Sequence, residues 1–211
     1  MGSSGKGLLL ALALLPVLVS GCSIYRVPGS VADYYYLNPD KDLSTIGRVA
    51  IVELDNNSSY PEVSLDVTEA LFQALQKKQL FGLTVVSQTD PQWRSLQFDI
   101  DSTYGLEQLA AVRNALKMKC DAVLIGTITG FQPYPHIAMG LRLKLVDLRD
   151  GQLLWALEQV WDGADKVTEY RIKNYFRSQM RSAAAPLNEA MVTVSSRKFF
   201  KFVAYEVAET L

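Results

Sequence analysis

The sequence contains few of the residues that catalysis most often uses. Its 211 residues include one histidine, His136, and two cysteines, Cys22 and Cys120. A Ser-His-Asp or Cys-His centre would therefore have a single possible base, and one histidine with one further cysteine cannot build a typical zinc site. The formal net charge is −1, so the chain lacks the basic footprint that is expected of a protein that binds nucleic acid.

Local motifs that carry chemistry are missing as well. The sequence has no HExxH, CxxC or GxSxG pattern. The turn after the first predicted strand, Asp55 to Tyr60, has no glycine that could cradle a phosphate. Asp99 and Asp101 could chelate a cation, but such a pair more often forms a solvated turn before a helix. We therefore predict a protein that is not an enzyme and holds no metal or cofactor; a hydrolase that uses His136 is the alternative.

No hydrophobic run is long enough to cross a bilayer as a helix, which takes ~20 residues. The run from Leu8 to Val19 is shorter, follows a single cation at Lys6, and precedes two small residues and Cys22. That arrangement is typical of a signal peptide. We therefore predict a signal peptide over residues 1–21, a tether over 22–45 and a folded domain over 46–211.

The residues Val19-Ser20-Gly21-Cys22 resemble the lipobox of bacterial lipoproteins. The resemblance implies cleavage before Cys22, a diacylglyceryl thioether on its sulfur and a further acyl chain, such as palmitate, on the new amino terminus. Two or three acyl chains hold a protein on a membrane almost permanently. Ser23 is not the aspartate that marks inner-membrane retention, so we expect the outer membrane, facing the periplasm. A secretory signal with an incidental cysteine is the alternative.

The residues after the tether predict one α/β (α+β) domain with a mixed sheet. Tyr34-Tyr35-Tyr36, within the tether, are interpreted as a short strand or a lid. Apolar periodicity and turn residues give the order β-α-β-α-β-β-β-α-α. The predicted strands span 46–54, 83–87, 122–131, 137–148 and 152–161. The first predicted helix begins between residues 60 and 64 and ends before Gly82. Three further helices are predicted to span 104–117, 166–181 and 196–211. Residues 187–194 stay unassigned, and Cys120 is expected to be buried and inert.

The hairpin that turns at Asp150-Gly151 predicts a binding surface. A two-residue turn would place three leucines of one strand and three apolar residues of the next on the core face: Leu141, Leu143, Leu145, Leu154, Ala156 and Val160. The opposite face would carry the candidates for binding a protein partner: Arg142, Lys144, Trp155 and Leu157. Trp and Arg dominate binding hot spots. Alternatively, the late helices cover this face.

The helix predicted at 166–181 has cations on one side: Lys166, Arg171, Lys173, Arg177 and Arg181. Most such helices only expose a charged face to solvent. Contact with anionic headgroups or with the cell wall is the alternative interpretation.

Five pieces of the sequence, in this order, resemble the CsgG/LpoB-type envelope lipoproteins. They are the lipobox, Arg48–Leu54, the helix of Val67–Leu75 that leads into Phe81–Val86, Cys120–Gln132, and Leu143–Trp155 with its Asp-Leu-x-x-Gly turn. The resemblance implies a domain akin to TolB amino-terminal and anticodon-binding domains, with a non-enzymatic role in the periplasm.

The resemblance implies two functions that differ in class. The first is an accessory or adaptor lipoprotein that binds another envelope protein or assembly, in cell-wall synthesis or secretion. The second is a subunit of an oligomeric CsgG-like export channel. A channel would need long membrane hairpins, and the connection from Ser87 to Ser102 is too short for two strands of ~10 residues each. We therefore favour the adaptor and expect no small-molecule substrate.

Overall fold

The computed structural model describes residues 32, 34–94, 111–114, 120–179 and 195–211. These residues form an α/β fold with one mixed sheet, as predicted. Its strands are β1 (Tyr35–Leu37), β2 (Arg48–Val52), β3 (Asp55–Asn56), β4 (Gly82–Val86), β5 (Ala122–Gln132), β6 (Ala138–Asp147) and β7 (Leu153–Asp162). Its helices are α1 (Val63–Lys78), α2 (Pro91–Arg94), α3 (Lys166–Gln179) and α4 (Ser196–Glu209), and a 3₁₀ turn spans Leu43–Thr45.

The sheet combines a parallel part and an antiparallel part. The strands lie in the order β1-β7-β6-β5-β2-β4, and β3 also pairs with β5. Strands β4, β2 and β5 run parallel. Between β2 and β4 the chain passes through α1, and such a crossover lets two neighbouring strands point in the same direction. Strands β5, β6, β7 and β1 run antiparallel. The two edges of the sheet are therefore β1 and β4.

The predictions for β2, β4, β5, β6, β7, α1, α3 and α4 are confirmed within a few residues at each end. The tyrosine segment forms β1, so the sheet extends into the segment predicted as a tether. The short strand β3 was not predicted, because Asp55 and Asn56 are turn-forming residues. Of the helix predicted at 104–117, residues 111–114 are described and are helical; the remainder, and residues 187–194, lie outside the described residues.

The first helix ends before Gly82, as predicted, but Gly82 is not the residue that caps it. Helix α1 ends at Lys78, and Gln79 adopts the left-handed conformation, with φ of 56°. That conformation commonly follows the end of a helix, although glycine takes it most easily. Gly82 is instead the first residue of β4, and its N–H donates a hydrogen bond of 2.8 Å to the Gly47 carbonyl.

Apolar side chains pack on both faces of the sheet. The larger cluster lies between the sheet and helices α1 and α4; it includes Ile51, Leu71, Leu124, Leu143, Trp155, Phe199, Phe202, Val203 and Val207. Four of the α4 residues in this cluster, Phe199, Phe202, Val203 and Val207, follow the apolar periodicity that predicted the helix. The smaller cluster lies on the opposite face and contains Trp93, Val112 and Cys120, so Cys120 is buried as predicted.

Helix α4 is fastened to the sheet by buried hydrogen bonds as well as by packing. The Trp161 Nε1 donates to Glu206 Oε2 at 2.8 Å, and the Trp155 Nε1 donates to Thr210 Oγ1 at 3.1 Å. Arg171 of α3 lies 3.1 Å from the same Glu206 oxygen, and both side chains are buried. A buried indole N–H and a buried guanidinium both require such acceptors, so Glu206 holds β7, α3 and α4 together.

The interpretation of α3 as a helix with one solvated row of cations is wrong for Arg171, which is buried against Glu206. Lys166 and Lys173 do lie at the surface, where both contact Glu169. These contacts lower the pKa of Glu169 to about 2. The exposed part of α3 therefore pairs its own charges, while Arg181 lies outside the described residues.

Replacing Glu206 with Ala should lower the free energy of unfolding by about 3–5 kcal/mol, because the buried Arg171 loses its carboxylate. The matched control is Lys78→Ala, which breaks the partly exposed pair of Lys78 with Glu209 (3.2 Å). That change should cost less than about 1 kcal/mol. Urea unfolding of both variants measures the difference; equal losses would contradict the role of Glu206.

A candidate interaction surface on the sheet

The turn between β6 and β7 decides which side chains share a face of the sheet. The Asp147 N–H donates to the Gln152 carbonyl (2.9 Å), and the Gly151 N–H donates to the Asp147 carbonyl (2.8 Å). The connection is therefore longer than the predicted two-residue turn. The strand register also shifts between Leu145, which lies opposite Trp155, and Val146, which lies opposite Leu153.

This register corrects the predicted binding surface. Trp155 and Leu157 lie opposite Leu145 and Leu143, and both are almost completely buried, at 0% and 2% exposure. They belong to the core under α4, not to the face of Arg142 and Lys144. A shift of one residue moves every side chain of a strand to the other face, so the four predicted residues do not form one surface. The binding role of Arg142 and Lys144 stays a prediction.

Different side chains accompany Arg142 and Lys144 on their face. Glu158 lies opposite Arg142, and Arg142 Nη2 is 3.5 Å from Glu158 Oε1. Ala156 lies opposite Lys144 and next to Tyr36 of β1. We call Tyr36, Arg142, Lys144, Glu158 and Val160 the outer face. Its tyrosine and valine are exposed, Val160 at 67%.

The predicted binding surface did not include Tyr36, Glu158 and Val160, which lie on the outer face. Arg142 and Glu158 carry opposite charges at positions that can lie opposite each other in a hairpin, and such pairs favour a register. This charge pair was the signal in the sequence that favours the observed register. The predicted two-residue turn sets a different register, in which Arg142 and Glu158 are not opposite each other. Val160 was assigned to the core, whereas it lies opposite Gly140 and is exposed.

The segment after β1 is fastened to the hairpin turn. The Asn38 N–H and its side-chain Nδ2 donate to the carbonyls of Leu154 and Leu153, each at 2.9 Å. Lys41 Nζ contacts Asp150 and lies 3.6 Å from Asp147. These contacts hold the segment that carries Tyr36 against β7.

Asp147 is the buried charge of this turn. Burial favours a raised pKa for its carboxyl group, but hydrogen bonds from the Arg149 backbone N–H (2.8 Å) and Nη2 (2.7 Å), with the nearby Lys41, lower the pKa overall. Its side chain is completely buried, whereas the Arg149 side chain is about half exposed. The carboxylate therefore anchors the turn in its charged form.

The two residues that could have formed a nucleophilic centre lie far apart. Cys120 precedes β5 and is buried, whereas His136 follows β5 and is exposed. The eleven residues of β5 separate them by about 30 Å at ~3.3 Å per residue. Burial raises the pKa of the Cys120 thiol, and the thiolate is the reactive form. The geometry does not assemble a Cys-His pair.

A polar cluster at the carboxyl ends of β2 and β4 is hydrogen-bonded within itself. The carboxylate of Glu53 accepts hydrogen bonds from Ser87 Oγ (2.8 Å), from the Gln88 N–H (3.1 Å) and from Ser64 Oγ (3.4 Å). Ser64 also donates to the Leu54 carbonyl. These bonds attach the first turn of α1 to the ends of two parallel strands, and we interpret the cluster as structural.

Within the described ranges, no group of three or more His, Cys, Asp or Glu side chains could hold a metal ion. No helix in the same part of the chain is long and apolar enough to cross a membrane. The predicted lipid attachment at Cys22 and the pair Asp99 and Asp101 lie outside the described residues. Their roles stay predictions.

Comparisons with known proteins find partial similarity to solved structures. No protein-family model and no curated protein matches the sequence. The PelC dodecamer from Paraburkholderia phytofirmans is similar in structure, with a TM-score of 0.43 and 12% identity; the match covers 65% of this chain and 86% of PelC.

Two further solved structures are similar to this chain. The LpoB C-terminal domain from Salmonella enterica is 21% identical, with a TM-score of 0.38; the match covers 55% of this chain and 83% of that domain. Lipoprotein GNA1162 from Neisseria meningitidis is 16% identical, with a TM-score of 0.43; the match covers 64% of this chain and 99% of that protein. Similarity at this level does not establish a family, and the resemblance to CsgG/LpoB-type lipoproteins stays a prediction.

Replacing Asp147 with Asn should destabilise the protein by about 1–3 kcal/mol at neutral pH, because Arg149 loses a charged, buried acceptor. The pKa of Asp147 is lowered in the folded state. Its stabilisation is therefore complete above the ordinary carboxyl pKa of ~4 and is lost as the pH falls through the lower folded value. Chemical unfolding of both proteins across this range measures the effect. A difference that does not shrink in acid would contradict this role.

Proposed function

We propose that the protein is a non-enzymatic lipoprotein that is anchored through Cys22 and acts as an adaptor for another envelope protein. The proposed location is the periplasmic side of the outer membrane, and the proposed process is cell-wall synthesis or secretion. The anchoring part of the proposal is supported by the residues Val19 to Cys22 after a short apolar run.

The outer face is the observation that supports an adaptor. It presents a tyrosine and a valine beside Arg142, Lys144 and Glu158, on a sheet whose other face is closed by α1 and α4. Tyrosine and arginine are enriched at protein interfaces, and charges around apolar side chains give specificity. Because the face is built on paired strands, its side chains are held in place before a partner binds.

The first experiment replaces Cys22 with Ala. The acyl chains are the proposed membrane anchor, so the variant should accumulate as an uncleaved precursor or leave the washed membranes. Fractionation and intact mass measure both outcomes. Cys120→Ala is the matched control, because it removes the other thiol and should leave processing unchanged. Normal cleavage and full membrane retention of the Cys22 variant would contradict the lipoprotein proposal.

The second experiment exchanges the charges of the outer face. Arg142→Glu combined with Glu158→Arg keeps an ion pair at this position but reverses its direction. Exposed pairs contribute little to folding, so thermal stability should change by less than about 1 kcal/mol. Binding to the partner should fall, because complementary charges would then face like charges. Quantitative capture from solubilised envelopes measures binding, and thermal unfolding measures stability.

The control for this exchange is a second reversed pair on the helical side of the protein. Lys78→Glu with Glu209→Lys reverses a 3.2 Å pair between α1 and α4, and this variant should capture the partner normally. Equal capture by both reversed variants and the unaltered protein would exclude the outer face as the binding surface.

A further inference from the structure

We propose that the edge of the sheet formed by β1 and the second half of β7 faces the lipid bilayer. The inference rests on the proposed acylation of Cys22 and adds to it the orientation of the domain. It has two independent supports, which are the reach of the chain from Cys22 and the apolar side chains at the point where that chain joins the fold.

The first support is the reach of the tether. Ala32 is buried in the main core cluster at 2% exposure, so the domain holds the chain from that residue. Residues 22–32 can span at most ~36 Å, the length of a fully extended chain. A domain of this length has a radius of gyration of ~15 Å, which corresponds to a sphere of radius ~20 Å with half a circumference of ~60 Å. The tether cannot run around the domain to the opposite edge.

The chain joins the fold beside Val160. The Tyr34 carbonyl accepts a hydrogen bond of 3.2 Å from the Glu158 N–H. Strand β1 then pairs with residues 155–157 of β7. Along the sheet, β4 is the strand farthest from this point. The tether therefore holds the β1 edge near the membrane and β4 away from it.

The second support is the composition of the surface around this point. Outside the outer face, the large apolar side chains exposed there are Tyr34, Tyr35 and Leu37, before and within β1. Val167 of α3 lines a cavity of about 540 Å³ together with Tyr34 and Val160, and it is also exposed. Tyrosine rings favour the boundary between lipid and water, where the ring is buried and the hydroxyl stays solvated.

The charges near this surface favour zwitterionic lipid contact over attraction to anionic lipid. Glu158 and Asp165 line the same cavity, and the exposed Lys166 of α3 is paired with Glu169. Because both signs are present, no strong field draws the edge to negative headgroups. Depth in the membrane should therefore change little with the fraction of anionic lipid.

The segment from β1 to Lys41 is also fixed to the hairpin, so the orientation of β1 at the membrane sets the orientation of the sheet. Asn38 bonds to two carbonyls of β7, and Lys41 contacts Asp150 at the hairpin turn. Membrane contact at the tyrosines therefore orients the whole sheet, with the outer face directed along the membrane plane. A partner in the same membrane could then reach that face from the side.

The test places a nitroxide label at either edge of the same sheet. Val167→Cys and Val85→Cys both replace an exposed valine, the first at the start of α3 beside Tyr34 and the second on the far edge strand β4. The full acylated protein is reconstituted in phosphatidylcholine vesicles, and the unaltered protein corrects for any labelling of the buried Cys120. We expect the Val167 label to collide with a water-soluble nickel chelate several-fold less often than the Val85 label, and more often with oxygen.

Controls separate the failure of this inference from the failure of the proposed function. Intact mass first establishes acylation; an unmodified Cys22 would contradict the proposed function itself. In the soluble Cys22→Ala protein both labels should be equally open to the chelate. If the acylated protein shows equal exposure, or equal shielding, at the two edges, the orientation is wrong. Shielding at Val167 that requires added envelope proteins would replace the lipid contact with a protein contact.

Discussion

The attachment of α4 to the sheet is the interaction on which the rest of the structure depends. The carboxylate of Glu206 accepts a hydrogen bond from Trp161 and pairs with Arg171, so one buried charge joins a strand and two helices. Desolvating two charges is costly, and only their close contact and the extra hydrogen bond offset that cost. Helix α4 covers one face of the hairpin in this way. The outer-face residues lie on the opposite face.

The sheet separates three tasks in space. One face of the hairpin is core, the other presents Arg142 and Lys144, and the β1 edge joins the segment that leads to Cys22. The tether thus reaches the fold at an edge, not across the outer face. For the proposed adaptor this separation matters, because membrane attachment at the binding surface would compete with the partner.

Most of the fold was predictable from the sequence, while the surface was not. Long apolar runs and helical periodicity located β5, α1 and α4, because burial imposes those patterns. Which face of the sheet carries Trp155 depends on the number of residues in one turn and on a bulge. Neither feature has a clear sequence pattern. The residue that caps α1 was not predicted for a related reason, since Gln79 adopts a conformation that glycine usually takes.

The pairing of β1 with β7 has a consequence for the order in which the protein folds. Residues 35–37 pair with residues 155–157, so a strand made early in synthesis finds its neighbour only after most of the chain exists. Contacts between such distant segments carry a large loop-closure cost and form slowly. We therefore expect β1 to join the domain late, and in the proposed lipoprotein the enzymes that process Cys22 would have the interval before the sheet closes in which to reach it.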